Sequence, residues 1–285
     1  MTANSEILLP PKKVLLIDIG GTNLRSAIAD IGTSDLLNPQ KVITSNLDSF
    51  DDIVQSFLTE EPLIDHIVFS VAGPKINNSI TMTNREFTLN ADEVLQRFNL
   101  SSCHVLNDWE SIGYSLSLIR SDEMTCLSQG YKFNDTALII GPGTGLGASL
   151  VISDDIVLPT EIGNSILSIE SLMVSSALQA SKNFNVIEDL ISGKGISNIY
   201  RHFSGVDKSS EDILLAYEDD ELARKSIDQF LISLAQFLSE LALAYIPGNG
   251  IYLAGGLMRS LRSLIITEDF IGNFLVNRKP MHRNL

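Results

Sequence analysis

Short apolar runs alternate with segments of helical periodicity along this chain. The strand-like runs read KVLLIDI, HIVFSVA, CHVLND, TALIIG and GIYLAGG. Helical spacing is clearest from Ile227 to Leu241, where large apolar residues recur every three or four positions. NADEVLQRF begins with Asn90 as the expected N-cap and carries Glu93 three residues later. Strands that alternate with helices in this way predict an α/β architecture.

The segment LLIDIGGTNLRSAIAD, residues 15–30, contains the first glycine turn. Its turn residues are Gly20, Gly21, Thr22 and Asn23. A dinucleotide site would read G-x-G-x-x-G and open a long helix, but here apolar alternation resumes after the turn. The pattern predicts a hairpin with Asp18 at the end of its first strand.

A second hairpin with a glycine turn is expected in IIGPGTGLGASLVI, residues 139–152. It is again strand, glycine turn with threonine, and strand. Two such hairpins in successive halves predict two related domains that face each other across a cleft, and two unrelated glycine turns are the alternative. A third glycine pair, Gly255 and Gly256, ends GIYLAGG.

The glycine turns suit a nucleotide. Glycine lets backbone N–H groups approach an anion, and threonine adds a hydroxyl donor. Neither hairpin turn has the spacing of a P-loop. Each turn alone is most often structural, but the three together favour a nucleotide, with adenine near Gly255. Asp18 could supply the carboxylate that Mg²⁺ prefers beside phosphate oxygens, and a turn-capping aspartate is the alternative.

Composition and charge exclude several classes of protein. The chain has 285 residues, with 35 acidic against 20 basic residues and a net charge of −15. This balance argues against binding to nucleic acid or to an anionic membrane. The two cysteines, Cys103 and Cys126, are too few for a disulfide scaffold or a four-cysteine zinc site, and a cytoplasmic location is expected. Residues 227–241, interrupted by Gln229, Gln236 and Glu240, predict a buried amphipathic helix and not a membrane span.

A candidate catalytic carboxylate lies in CHVLNDWESIGYSL. The predicted strand ends at Asn107 and Asp108, and a helical pattern follows. A carboxylate at this point can accept a proton from a hydroxyl group. A helix N-cap is the alternative role for Asp108.

Five motifs in a fixed order carry a family resemblance. They are IDIGGTN, VLNDW, GPGTGLG, ISGKGISNIY and AGGL. From about Val14 to Leu257 the chain resembles the bacterial glucokinases of the hexokinase–actin superfamily. The resemblance implies a two-domain actin-like ATPase (ribonuclease H-like) fold, with a cleft between a small domain, residues 1–109, and a large domain, residues 110–285. It also implies ATP-dependent phosphorylation of glucose, or of a closely related hexose, at the 6-hydroxyl as the first step of glycolysis. We expect a cytoplasmic homodimer.

The resemblance also implies roles for individual residues. Asp108 matches the catalytic base, which also contacts the sugar, and Asn107 matches a neighbouring sugar ligand. Glu161 and Glu188 match two sugar-binding glutamates, and Asn84 in MTNREF lies in a segment that borders the sugar. The matching nucleotide-binding residues are Asp18 with Mg²⁺, Gly20, Gly21, Thr22 and Asn23 in the first turn, Gly143, Thr144 and Gly145 in the second, and Gly255 and Gly256 at the adenosine.

Two departures from the family pattern are visible. The family reads E-G-G-H where this chain has Glu161, Ile162, Gly163 and Asn164. Asn164 therefore stands where a sugar-binding histidine is expected, which leaves the preferred hexose open. The family also continues past the point where this chain stops, with a further strand and helix whose loss we expect to lower stability or activity.

A second function stays open beside the kinase. A non-catalytic sugar sensor or degenerate kinase would share the fold, as would another ATPase of the superfamily. Sugar-responsive repressors carry a DNA-binding segment ahead of the first strand, and MTANSEILLPPKK is too short for a helix-turn-helix.

Overall fold

The computed structural model describes residues 12–20, 23–43, 50–82, 87–166, 169–175, 178 and 184–276. The chain divides into two compact units, Met1–Ser111 and Ile112–Leu285. The division falls inside helix α3 (Asp108–Ser115), close to the domain boundary expected between residues 109 and 110. Both units mix strands with helices, which confirms the predicted α/β class.

The first unit is built on a five-stranded sheet of order β3-β2-β1-β4-β8. Its strands are β1 (Lys13–Ile19), β2 (Asn23–Asp30), β3 (Leu37–Ile43), β4 (Ile64–Val71) and β8 (Ser102–Asn107). β1, β2 and β3 pair antiparallel, whereas β4 is parallel to both β1 and β8. The carboxyl ends of β1, β4 and β8 therefore meet at one edge of the sheet.

A small second sheet and two helices complete the first unit. The sheet contains β5 (Lys75–Ile76), β6 (Ser79–Thr81) and β7 (Thr88–Asn90), and the helices are α1 (Phe50–Glu60) and α2 (Ala91–Arg97). Phe50 of α1 packs on Phe69 of β4, with ring centroids 5.5 Å apart. Asn90 caps α2 by accepting a hydrogen bond from the amide of Glu93 at 3.0 Å, which confirms the predicted N-cap.

The sheet of the second unit repeats the plan of the first. Its strands are β9 (Ala137–Pro142), β10 (Leu146–Ser153), β11 (Ile156–Thr160) and β12 (Gly250–Leu253), in the order β11-β10-β9-β12. β9 and β10 form an antiparallel hairpin, β11 adds to its outer side, and β12 pairs parallel with β9. The arrangement β3-β2-β1-β4 has the same pattern, so both glycine-tipped hairpins predicted from the sequence are present.

Helices supply most of the core of the second unit, together with residues of β9 and β10. Its helices are α4 (Ile169–Ser175), α5 (Gly193–Ser204), α6 (Ser210–Leu215), α7 (Glu221–Tyr245), α8 (Gly256–Ser260), α9 (Arg262–Ile265) and α10 (Glu268–Phe274). Among the described residues, α7 is the one helix long and apolar enough to cross a membrane, and 67% of its most apolar window is buried inside the protein. Ile227, Phe230 and Leu234 are fully buried, as the helical spacing predicts for a core helix.

Candidate active site

The parallel strands of the first unit bring two predicted site segments to one edge. Asp18 of β1 is in register with Ser70 of β4, and Val71 of β4 is in register with Asn107 of β8. The first glycine turn follows β1 directly, and Asp108 follows β8. Because one strand lies between β1 and β8, the two segments are separated by two strand spacings, about 10 Å.

Both carboxylate oxygens of Asp18 are engaged within the protein. Oδ2 accepts a hydrogen bond from Arg25 Nη1 at 2.7 Å, and Oδ1 accepts one from Ser70 Oγ at 3.2 Å. Sequence reasoning missed Arg25, although the hairpin register places it directly opposite Asp18. Each oxygen keeps a second lone pair, so Asp18 could still contribute one ligand to a Mg²⁺ ion that takes its other ligands from water and phosphate. Within the described ranges, no group of three or more His, Cys, Asp or Glu side chains could hold a metal.

Part of the predicted set lies outside the described residues. This applies to Gly21 and Thr22 of the first turn and to the expected sugar neighbour Asn84. The turn is closed by a hydrogen bond from the amide of Gly20 to the carbonyl of Asn23 at 2.9 Å.

Asn107 caps helix α3 and so fixes the start of the helix that carries Asp108. Its Oδ1 accepts hydrogen bonds from the amides of Trp109 at 2.9 Å and Glu110 at 3.3 Å. Its Nδ2 donates to the carbonyl of Gly73 at 2.8 Å. The capping role considered for Asp108 thus belongs mainly to Asn107, although Asp108 Oδ1 also accepts from the amide of Trp109 at 3.0 Å.

Glu110 forms the other half of a capping box. Its Oε2 accepts a hydrogen bond from the amide of Asn107 at 3.1 Å, and its two oxygens accept from Lys75 Nζ at 2.9 and 3.1 Å. The Glu110 side chain is only 5% exposed and that of Lys75 is 25% exposed. The N-x-x-E spacing signals the capping box in the sequence, but no sequence signal connects it with Lys75.

In the second unit, Glu188 lies against the second glycine turn. Glu188 Oε2 accepts a hydrogen bond from the amide of Leu146 at 3.3 Å. A Cβ added to Gly145 would lie 2.7 Å from the same oxygen, so only glycine leaves this carboxylate in place. The turn is held by bonds from the Gly143 amide to the Gly145 carbonyl at 2.8 Å, and from the Gly193 amide to the Gly143 carbonyl at 2.7 Å. A predicted sugar ligand and a predicted phosphate turn are therefore in contact.

The third glycine pair lies beside the second turn. Gly255 has a φ of 102°, which disfavours residues with a side chain, and Gly256 begins α8. A Cβ on Gly255 would lie 3.7 Å from the carbonyl oxygen of Pro142, the residue that precedes the second turn. The structure thus brings these two predicted nucleotide segments together at one end of β9.

The residues that depart from the family's E-G-G-H pattern lie in a short 3-10 turn, Ile162–Asn164, which follows Glu161. Asn164 Nδ2 donates a hydrogen bond to Glu161 Oε2 at 3.0 Å, so Asn164 orients the glutamate. The buried Gly163 approaches β10 so closely that a Cβ would lie 2.5 Å from the carbonyl oxygen of Leu146. This contact fixes the turn beside the residue that also binds Glu188.

Asp189, which sequence reasoning missed, fixes the turn that presents Glu188. Its Oδ2 accepts hydrogen bonds from the amides of Asn185 and Val186, and its Oδ1 accepts one from Lys194 Nζ at 2.9 Å. Burial alone would raise the pKa of the Asp189 carboxyl, but the hydrogen bonds from Lys194 and the two amides outweigh it and hold this pKa below its ordinary value.

The fold and these turns define the class of this protein as the actin-like ATPase fold, which it shares with solved structures described as a glucokinase and a hexokinase. A family model described as Glucokinase matches residues 15–285. The chain belongs to the glucokinase family, which confirms the resemblance found in the sequence.

Individual relatives agree with this assignment at low identity. The glucokinase-like protein of Xylella fastidiosa strain 9a5c is 29% identical over 286 residues, which cover 93% of this chain and 85% of the relative. A solved glucokinase from an Antarctic psychrotroph is similar in fold, with a TM-score of 0.80, 23% identity and coverage of 96% of this chain and 91% of that chain. The ROK family glucokinase of Streptomyces griseus, solved with glucose and AMPPNP, has a TM-score of 0.62 at 17% identity, covering 93% and 90% of the two chains. Together the family and its members support a sugar kinase that uses ATP.

Proposed function

We propose that this protein transfers the γ-phosphoryl group of ATP to the 6-hydroxyl of glucose or a closely related hexose. Asp108 accepts the proton of the attacking hydroxyl. The observation that carries the proposal is the placement of Asp108 at the same sheet edge as the first glycine turn, two strands away. Phosphoryl transfer needs the two reactants to be positioned in this way more than it needs covalent help from the protein.

The second unit supports the proposal because the residues expected to bind sugar and those expected to bind nucleotide are in contact there. The carboxylate of Glu188 contacts the turn around Gly145, and the Gly255 pair lies beside that turn. Glu161, held by Asn164, adds a second carboxylate that can accept hydrogen bonds from sugar hydroxyls. A nucleotide and a sugar bound at these groups would be close neighbours.

Magnesium belongs to the proposal as the partner of ATP. Asp18 with Ser70 would hold the ion on the protein side, and the ion would neutralise phosphate charge. Arg25, which pairs with Asp18, would keep a positive charge beside the phosphates. We also propose a cytoplasmic location, which is consistent with a chain that has only two cysteines.

The test is a coupled assay for ADP with ATP, Mg²⁺ and a panel of hexoses, applied to the wild type and to Asp108→Asn. We expect the wild type to phosphorylate glucose or a close relative. The variant should lose about 10²–10⁴-fold in kcat while calorimetry still shows sugar binding. Sugar binding by the wild type without phosphorylation of any hexose would favour a non-catalytic sugar sensor. A wild-type kcat in Asp108→Asn would show that Asp108 is not the catalytic base.

A further inference from the structure

We propose that Lys75 and Glu110 are positioning residues that hold Asp108 at the angle needed for proton abstraction. This role rests on the proposed kinase reaction. Neither side chain belongs to the sugar or nucleotide sets identified above, and neither is placed to react. Their effect is exerted through the backbone on the two sides of Asp108.

The contacts enclose Asp108 from both sides along the chain. Asn107 precedes it and is held through its amide by Glu110 and through its Nδ2 by the carbonyl of Gly73. Glu110 follows two residues later and is held by Lys75 through both carboxylate oxygens. The side chains of Asn107 and Glu110, which bind backbone amides on both sides of Asp108, are therefore both tied to one segment, residues 73–75.

One residue of this segment, Gly73, packs tightly against β6. Gly73 has a φ of 156°, and an added Cβ would lie 2.3 Å from the carbonyl oxygen of Thr81 in β6. Only glycine permits so close an approach. The segment follows the end of β4, the strand between β1 and β8, so it lies at the edge where the reaction is proposed.

Helix stability alone does not account for this pair. A capping box needs only a glutamate or glutamine at its third helical position, and glutamate is rarely buried unless it is paired. Glu110 is instead 5% exposed and paired with Lys75, and a buried ion pair adds little net stability over apolar residues of the same size. What the pair does fix is the position of the Glu110 carboxylate, because Lys75 Nζ donates to both of its oxygens while Oε2 also accepts from the Asn107 amide.

The experiment compares Lys75→Met and Lys75→Arg with a matched control, Lys13→Met. Lys13 also pairs with a glutamate, Glu61, at 2.7 Å, and both side chains of this pair are partly buried. Lys13 lies at the opposite end of β1 from the glycine turn. The double variant Lys75→Met with Glu110→Gln is included because it leaves no unpaired charge, and glutamine can still accept the bond from the Asn107 amide. This variant keeps the test open if Lys75→Met does not fold.

The measurements are kcat, the KM for sugar, the melting temperature and the fluorescence of Trp109, the single tryptophan of the chain. Because Trp109 is adjacent to Asp108, its emission reports a local shift in the folded protein. We expect Lys75→Met and the double variant to lose about 10–100-fold in kcat, with little change in KM and with altered Trp109 emission well below the melting transition. Lys75→Arg should lie closer to wild type than to Lys75→Met, and Lys13→Met should keep wild-type kcat.

Two outcomes overturn the proposal in distinguishable ways. If the wild type is active and the folded variants keep its kcat, or lose activity only in proportion to their unfolded fraction, Lys75 and Glu110 do not position the base. If the wild type phosphorylates no hexose, the proposed function itself fails, and the positioning role fails with it.

Discussion

Replacing Gly145 with alanine tests whether the contact between the second glycine turn and Glu188 sets sugar affinity. The new Cβ would lie 2.7 Å from Glu188 Oε2, whereas ordinary contacts begin at 3.4 Å, so the carboxylate must move by about 0.7 Å. The obstructing atom is the far end of a flexible side chain, so the fold should survive. The displaced group is the one proposed to bind sugar.

The expected loss of sugar affinity follows from the hydrogen bonds that Glu188 would lose. Glu188 would lose its hydrogen bond from the amide of Leu146 and its alignment with one sugar hydroxyl. A hydrogen bond to a charged group contributes about 1.5–3 kcal/mol, which corresponds to a rise of about 10–150-fold in the dissociation constant for sugar. Isothermal calorimetry with glucose in the absence of nucleotide measures this constant without interference from ATP binding.

Two control variants isolate the steric cause. Gly143→Ala changes the same turn, but its Cβ would meet no atom within 4 Å, so sugar affinity without nucleotide should be unchanged. In a Glu188→Ala background, Gly145→Ala should have no further effect on sugar binding, because the displaced group is absent. Unchanged glucose affinity in Gly145→Ala, together with lost affinity in Glu188→Ala, would refute the argument from crowding.

Three further predictions concern the second unit and the cysteines. Because hydrogen bonds hold the pKa of Asp189 below its ordinary value, the carboxylate stabilises the fold above the unfolded pKa and this contribution is lost as the pH falls through the folded pKa. The gap in unfolding free energy between wild type and Asp189→Asn should therefore narrow as the pH falls through and below the range in which an ordinary aspartate titrates, and a constant gap in urea titrations would contradict this. Asn164→Ala removes the hydrogen-bond donor to Glu161, so the KM for sugar should rise more than kcat falls. An unchanged KM in steady-state kinetics would show that Asn164 does not orient Glu161 for sugar binding. Burial raises the pKa of the Cys103 thiol to about 12 while Cys126 is exposed, so a thiol reagent should modify Cys126 in the native protein and Cys103 only after unfolding; mass spectrometry that finds both modified at once would refute this.

Local patterns in the sequence were sufficient for the elements of the fold. Apolar alternation on both sides of a glycine turn predicted the hairpins β1–β2 and β9–β10, because each depends on residues that are neighbours in the chain. Asn90 three residues before Glu93 predicted the cap of α2 for the same reason. The spacing of apolar residues from Ile227 to Leu241 predicted the buried face of α7.

Most contacts within the candidate site could not be predicted from the sequence and became visible only in the tertiary structure. The Asp18–Arg25 pair is an intermediate case, because seven residues around a turn place it in register once the hairpin is known. No local pattern connects Lys75 with Glu110, which are 35 residues apart. They meet because the parallel pairing of β4 with β8 brings the loop after one strand to the end of the other.

The sequence by itself determined the family, the two hairpins and the residue types available for chemistry. Short-range interactions specify the hairpins, through strand periodicity and turn conformation, and the order of five motifs along the chain identifies the family. Only the tertiary structure decided that Glu188 touches Gly145, that Asn164 holds Glu161, and which side chains support the backbone around Asp108. Such contacts depend on sheet register and on the paths of loops, and packing of the whole chain fixes both.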